Sequence, residues 1–337
     1  MSTHAIQPGD DDLRSAVAVP TSGTAVLVTT RRGPRGPWSI IADVPTEGRE
    51  PAGPPPGYLA LTGIASCTIV TVAGVASRGR SPLLDMRVSF DVSPRAEGGF
   101  DIRQRTVLTA DLSDTDYGRL SRAVGFCPIG KIFSKRAIAI DDRVELRGAR
   151  TGAAPARAPA AGDPPVFLPG SASAQWLAST SEWREADGRR SLDQEGEVVV
   201  HVDCASESGR RRWGLLGGHT SAGWAPRPSA YAMAGLASST LMTLRARADA
   251  LGIDPTTLRV EVRSLSPVPS GGKRQSQEDA AVGEAKPVRW LREVTVEAAS
   301  SAAATEAILS AMRLDPIYGH CMRGDLLAGE EIVVVTP

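Results

Sequence analysis

Four side chains in this 337-residue sequence are suited to redox or nucleophilic chemistry: Cys67, Cys127, Cys204 and Cys321. A thiol acts as a nucleophile once it is a thiolate, and a nearby cation or a helix N-terminus favours that form. Cys67 falls in the apolar run 58–76, which reads as a buried helix, among Ile64, Ala65, Thr68 and Ile69. Cys127 precedes Pro128, and proline fits the first turn of a helix. The Cys127 thiol would therefore sit where the helix dipole favours an anion. On pattern alone, the commoner fate of both residues is that of a small buried hydrophobe. Cys204 and Cys321 read as incidental.

Other chemistries find less support. There is no Cys-x-x-Cys, and His4, His201, His219 and His320 do not complete a zinc pattern, so no metal is expected. Gly214-Leu-Leu-Gly-Gly218 does not open a helix with phosphate-loop spacing and reads as a turn. No flavin, haem or nicotinamide signature is present, so no bound cofactor is expected. Arg210-Arg-Arg212 reads as solvated surface, and 31–36 as a hairpin turn first and a donor of site residues second.

The elements that position the thiols occur twice. Residues 61–72 (LTGIASCTIVTV) align with 233–244 (MAGLASSTLMTL), identical at five of twelve positions, with Cys67 opposite Ser239. Each segment follows a proline-rich lead-in and precedes an alternating strand, 86–92 or 258–262. A second strand follows (105–110, 289–297), then a short helix capped by Ser113 in one half and by Ser300 or Ser301 in the other. The tripeptides Cys127-Pro-Ile129 and Asp315-Pro-Ile317 come next, then a last strand, 137–146 or 331–335. Strand signals also open each half, at 24–30 and 38–42 and at 197–202 and 211–216. This order is α+β and not the regular βαβ of a doubly wound fold.

The expected organisation is a flexible N-terminus over 1–19, a domain with the cysteine pair over 20–147, a linker over 148–175 and a second domain over 176–337. Residues 267–287 read as an extended loop. Glycine and proline supply 34 and 25 residues, more than the usual share, in keeping with such loops. The hydrophobic fraction of 42% supports packed cores. Thirty-eight basic residues balance thirty-eight acidic ones, which gives no electrostatic case for nucleic acid or a membrane surface. Only four basic residues are lysine, which most simply reflects a GC-rich coding sequence. The polar start lacks a secretory pattern and no uninterrupted apolar run reaches membrane length, so a cytoplasmic protein is expected.

Gly53-Pro-Pro-Pro56, Tyr58-Leu59, Ala65-Ser-Cys67 on a long helix and a Cys-Pro-Ile about sixty residues later together resemble the OsmC/Ohr family. Ala42-Asp-Val-Pro45 and Gly48 resemble that family's approach to the helix. The likeness covers most of 20–147 and, more faintly, 195–335. It implies an α+β fold of antiparallel sheets wrapped around long central helices, in which two subunits intertwine. With two copies in one chain, it implies an intramolecular pseudo-dimer, compatible with a monomeric chain.

The resemblance also implies thiol-dependent reduction of organic hydroperoxides. Cys67 would attack the peroxide, Cys127 would resolve the sulfenic acid as a disulfide, and an external dithiol would reset the pair. The family's active peroxidases place a Glu just before the helix, where it holds an activating Arg. Here Gly57 follows Pro56, and Arg31 or Arg32 would supply the Arg. The second copy carries Ser239 and Asp315 in place of the thiols and would be inactive in redox, with Asp315 an exposed helix cap in preference to an acid or base. Two alternatives stand beside the peroxidase: an OsmC-fold protein reassigned to catalysis or small-molecule binding in a secondary-metabolite pathway, and a thiol-sensing module.

Overall fold

The protein is described by a computed structural model over residues 15–21, 23–31, 37–46, 49–94, 100–148, 170–176, 198–206, 212–219, 226–265, 287–298 and 301–336. The chain runs β1 (Ser15–Pro20), β2 (Val26–Arg31), β3 (Trp38–Ala42), α1 (Pro56–Gly79), β4 (Leu83–Pro94), β5 (Phe100–Ala110), α2 (Asp114–Gly125), α3 (Pro128–Ser134) and β6 (Ile138–Arg147). It continues β7 (Gly170–Trp176), β8 (Val198–Ser206), β9 (Arg212–His219), α4 (Pro228–Arg245), α5 (Ala248–Leu251), β10 (Arg259–Ser264), β11 (Val288–Glu297), α6 (Ala302–Met312), α7 (Pro316–Arg323) and β12 (Leu327–Val335).

The strands form two six-stranded sheets, ordered β3-β2-β1-β10-β11-β6 and β12-β5-β4-β7-β8-β9. Each sheet therefore takes strands from both halves of the sequence. The joins are antiparallel, β1 on β10 with Ala16 opposite Val262, and β4 on β7 with Val88 opposite Ala174. The crossing strands β6 and β12 add in parallel, β6 along β11 and β12 along β5. Helix α4 lies on the first sheet, α1 lies on the second, and the two helices pack on each other. The result is a mixed α+β fold with one continuous apolar core.

Helix α1 is apolar on every side, as a helix enclosed by protein must be. Two of its hydroxyls are satisfied locally, Thr62 donating to Tyr58 O at 2.8 Å and Thr68 to Ile64 O at 3.0 Å, while Ser66 Oγ is buried without a hydrogen-bond partner. It is also long and apolar enough to cross a membrane by length and composition, which the interrupted sequence run did not suggest; 78% of its most apolar window is buried inside this fold. Pro56 opens the helix, and Arg80, with φ of 52°, ends it.

The close crossing of α1 and α4 rests on two glycines. A Cβ on Gly63 would lie 2.8 Å from Pro228 O and 3.0 Å from Ala232 N. A Cβ on Gly235 would lie 2.9 Å from Pro56 O and 3.0 Å from Ala60 N.

Three sequence expectations are corrected. The expected flexible N-terminus over 1–19 includes a strand, because Ser15–Pro20 is β1, with Ala16 and Ala18 fully buried. The expected 148–175 linker includes most of β7, a strand that opens with Gly, Ser and Ala and is held by pairing on both sides. Small residues carry weak strand propensity, so β7 does not announce itself. Gly214–Gly218 is not a turn but part of β9. A Cβ on its Gly217 would sit 2.5 Å from Ser66 Oγ, so glycine lets this strand approach α1. The expected loop over 267–287 lies, but for Pro287, outside the described residues.

Candidate active site

Helices α1, α2 and α3 bring Cys67 and Cys127 together. Ser113 caps α2, its Oγ accepting from Asp116 N at 3.2 Å. The chain then turns directly into α3: Cys127 N donates to Val124 O at 3.3 Å, and Pro128 takes the first helical position. Cys127 is the N-cap of α3, and its Sγ accepts from Gly130 N at 3.2 Å. The same sulfur lies 3.8 Å from Ile64 O on α1, one turn before Cys67.

Both cysteines are free thiols, 7% and 3% exposed, and the two side chains lie close enough to shift each other's acidity. That proximity divides their acidities. Cys127 is the largest influence on Cys67 and, with burial, holds its thiol well above the ordinary value. Burial is the largest influence on Cys127 and acts upward. It is outweighed by Cys67, the N–H groups of Gly130 and Ile129 and the Thr68 hydroxyl, so the Cys127 thiol is lowered. The pair thus holds its protons unequally, with the more tightly bound one on Cys67 and the more readily lost one on Cys127. Thr71 and the Ile129 N–H act on Cys67 in the opposite sense, downward.

The approach to the helix is tied down by Asp43, which is fully buried. Its carboxylate accepts from Thr24 Oγ1 at 2.6 Å, Val44 N at 2.9 Å, Ala52 N at 2.8 Å and Arg49 at 2.9 Å. Gly53 is obligatory in this lead-in, since a Cβ there would lie 2.1 Å from Ile41 O. The first turn of α1, which includes Gly57, holds no acid. Arg31 ends β2; its side chain, all of Arg32 and Gly48 lie outside the described residues.

In the second half Ser239 and Asp315 also meet, with different chemistry. Ser239 Oγ donates to Asp315 Oδ1 and Thr240 Oγ1 to Oδ2, each at 2.5 Å. Asp315 caps α7 through Ile317 N at 2.9 Å and Tyr318 N at 3.4 Å. The cap is as the sequence suggests, but it is not exposed: Asp315 is 1% exposed. Burial raises its carboxyl, opposed chiefly by Arg292.

Arg292, fully buried, donates to Thr240 Oγ1 and Met312 O at 3.1 Å each and grips Asp142 with two bonds of 2.8 and 3.0 Å. Its guanidinium also lies 4.2 Å from the Tyr318 ring centre. The sequence reading missed Arg292, although a signal was present. It occupies the inward phase of β11 with Trp290, Val294 and Val296, and a charge in that phase requires a buried partner.

Cys204 is buried on β8 and its thiol is pushed up to about 12, chiefly by burial. Cys321 is buried and raised for the same first reason. Neither is poised as a nucleophile.

A cleft of about 590 Å³ opens between the C-terminal half of α1 and α2. Thr71, one helical turn after Cys67, and Phe126, next to Cys127, are among its walls.

No protein-family model matches the chain, and no curated protein matches it. Among solved structures, an OsmC-like protein from Mycoplasma pneumoniae is similar over 36% of this chain and 85% of its own, at 16% identity and a TM-score of 0.28. A second, described only as structural genomics, is similar over 36% of this chain and 88% of its own, at 22% identity and a TM-score of 0.28. Both likenesses are weak and partial.

Proposed function

We propose that this chain is an OsmC-like thiol peroxidase that reduces organic hydroperoxides through Cys67 and Cys127. The observation that carries the reading is the apposition of two buried thiols, one in the middle of a helix and one at the N-cap of another, the second with its sulfur against the turn of α1 that leads to Cys67. Cys127 takes the Cys67 proton as the Cys67 sulfur attacks the peroxide oxygen remote from the alkyl group. The O–O bond breaks, the alkoxide leaves and takes a proton from solvent, and Cys67 becomes a sulfenic acid. The Cys127 thiol condenses with it, forming the S–S bond and expelling water. An external dithiol supplies two electrons to reopen the disulfide, and the Cys127 proton returns to solvent. No bound cofactor or metal enters this cycle, which suits a reducing cytoplasm.

The chain is further read as two OsmC-like copies folded into an intramolecular pseudo-dimer, about 15–147 and 170–337, with one redox site. The matching strand orders of the two sheets and the reciprocal contacts of Gly63 and Gly235 support this. Light scattering after size exclusion should report a monomer of 35.3 kDa; an obligate dimer counts against it.

The peroxidase reading is tested by hydroperoxide consumption with a dithiol, wild type against Cys67→Ser. Equal rates sink it. The first turn of α1, without an acid, favours a second reading: an OsmC fold reassigned to small-molecule catalysis or binding in secondary metabolism. Tight binding of a metabolite without thiol turnover would select that reading.

A further inference from the structure

The cleft beside the thiol pair has a charge character that the redox cycle does not use. On α2, Arg119, Arg122 and Phe126 recur at helical spacing and face α1 across the gap. On α1, glycines make the room. A Cβ on Gly79 would collide with the Arg119 guanidinium, 2.4 Å from Cζ, and a Cβ on Gly74 would lie 3.4 Å from Arg78 Nη1. The Arg119 guanidinium therefore fills a gap that Gly79 leaves, and that of Arg78 lies against Gly74 on its own helix, both residues lining the cleft.

Arg119 is paired with Asp116, yet its Nε is buried without a hydrogen-bond partner. Arg78 and Arg122 form no ion pair or side-chain hydrogen bond among the described residues, and no acid stands among the residues lining the cleft. Lys131 Nζ, 4.1 Å from the Phe126 ring centre, adds a further cation at its edge. A protein of zero net charge thus gathers unneutralised guanidinium charge in one concave site, walled otherwise by Val70, Val75 and Phe126.

We propose that this cleft binds a carboxylate-bearing small molecule with a short apolar body. Arg78 and Arg122 take the carboxylate, in the bidentate manner that guanidinium geometry favours, and the apolar body lies against the valines and Phe126. Thr71, one helical turn after Cys67, also lines the cleft, so a ligand that reaches it extends toward Cys67. Rested on the peroxidase reading, the proposal makes the ligand an acidic reactant of the cycle, either the oxidant or the reducing thiol.

Octanoate and octanamide serve as probes, titrated calorimetrically into the full chain. Octanoate should bind and octanamide should bind at least about tenfold more weakly, a difference of about 1.4 kcal/mol. Octanoate affinity should fall with added salt. The double variant Arg78→Gln, Arg122→Gln, both exposed positions, should lose the octanoate preference while unfolding at the wild-type temperature. Octanamide binding as tightly as octanoate, or an unchanged preference in the double variant, overturns the proposal. The probes turn over nothing, so a chain inactive with peroxide fails the redox reading and leaves this test standing. With an active chain, a KM preference for a carboxylate-bearing hydroperoxide over a neutral one identifies the oxidant as the ligand. The same preference among dithiols identifies the reductant. No preference in either arm overturns delivery to the pair.

Discussion

Gly63 and Gly235 each stand against the first turn of the helix that carries the other, one facing Pro228 and Ala232, the other Pro56 and Ala60. The contact is reciprocal, as it would be across a two-fold axis between like subunits. Replacing a helical glycine with alanine in an open site stabilises by about 1 kcal/mol. Here the new methyl meets backbone atoms at 2.8–3.0 Å, which cannot yield as a side chain would. Overpacking of this kind costs about 1–3 kcal/mol. Gly63→Ala and Gly235→Ala should each lower the thermal midpoint, and by similar amounts. A rise in either midpoint refutes a tight crossing.

The unequal acidities of the thiol pair give a signed prediction. In the wild type one thiolate should titrate below the ordinary thiol value and the other well above it, read by ultraviolet thiolate absorbance. These are properties of the pair. Cys67→Ser keeps a hydroxyl donor beside Cys127 and should retain the low titration. Cys127→Ser removes the anion that raises Cys67 and should bring its titration down toward the ordinary value. A Cys67 titration unmoved by Cys127→Ser contradicts the contact. Because Cys127 is depressed in the folded state, its contribution to stability is full above the ordinary thiol value and is lost as pH falls through its folded one.

The long helices, their prolines and the capping serines were legible, since local chemistry decides them. Ser301 rather than Ser300 proves to be the cap, its Oγ accepting from Ala304 N at 3.0 Å. The apposition of Cys67 with Cys127 and of Ser239 with Asp315 was legible only as spacing within a resemblance. The strands β1 and β7 were not, because their place comes from partners in the other half of the chain, Val262 for Ala16 and Val88 for Ala174. Arg292 was hidden for a related reason. Its partner Asp142 sits on β6, paired in register but 150 residues away.

The Asp43 cluster should behave as a positioning device for the α1 lead-in. Asp43→Ala strands the buried N–H of Val44, and a buried unsatisfied donor costs about 1–3 kcal/mol. Asp43→Asn keeps an acceptor oxygen and should cost less. Both variants are expected to lower the chemical-denaturation midpoint in that order. Equal losses would mean the hydrogen bonds to Val44 and Ala52 are not what Asp43 provides.

Arg292 holds two carboxylates, Asp142 by a bidentate pair and Asp315 at 3.4 Å, with all of its side chain buried. Removing one member of a buried charged set leaves the others uncompensated, at a cost of about 3–5 kcal/mol. Arg292→Met should therefore be severely destabilising at neutral pH. The loss should shrink in acid. The Asp315 carboxyl is raised in the folded state, so its linkage term favours folding below the ordinary carboxylate value and is lost as pH rises through the folded one. With Arg292 gone, that folded value rises further, and protonation removes the unpaired charge. Thermal midpoints of wild type and Arg292→Met across the acidic range should thus converge as pH falls. A gap that stays constant would show that Arg292 acts through packing against Tyr318 and Met312 and not through its charge.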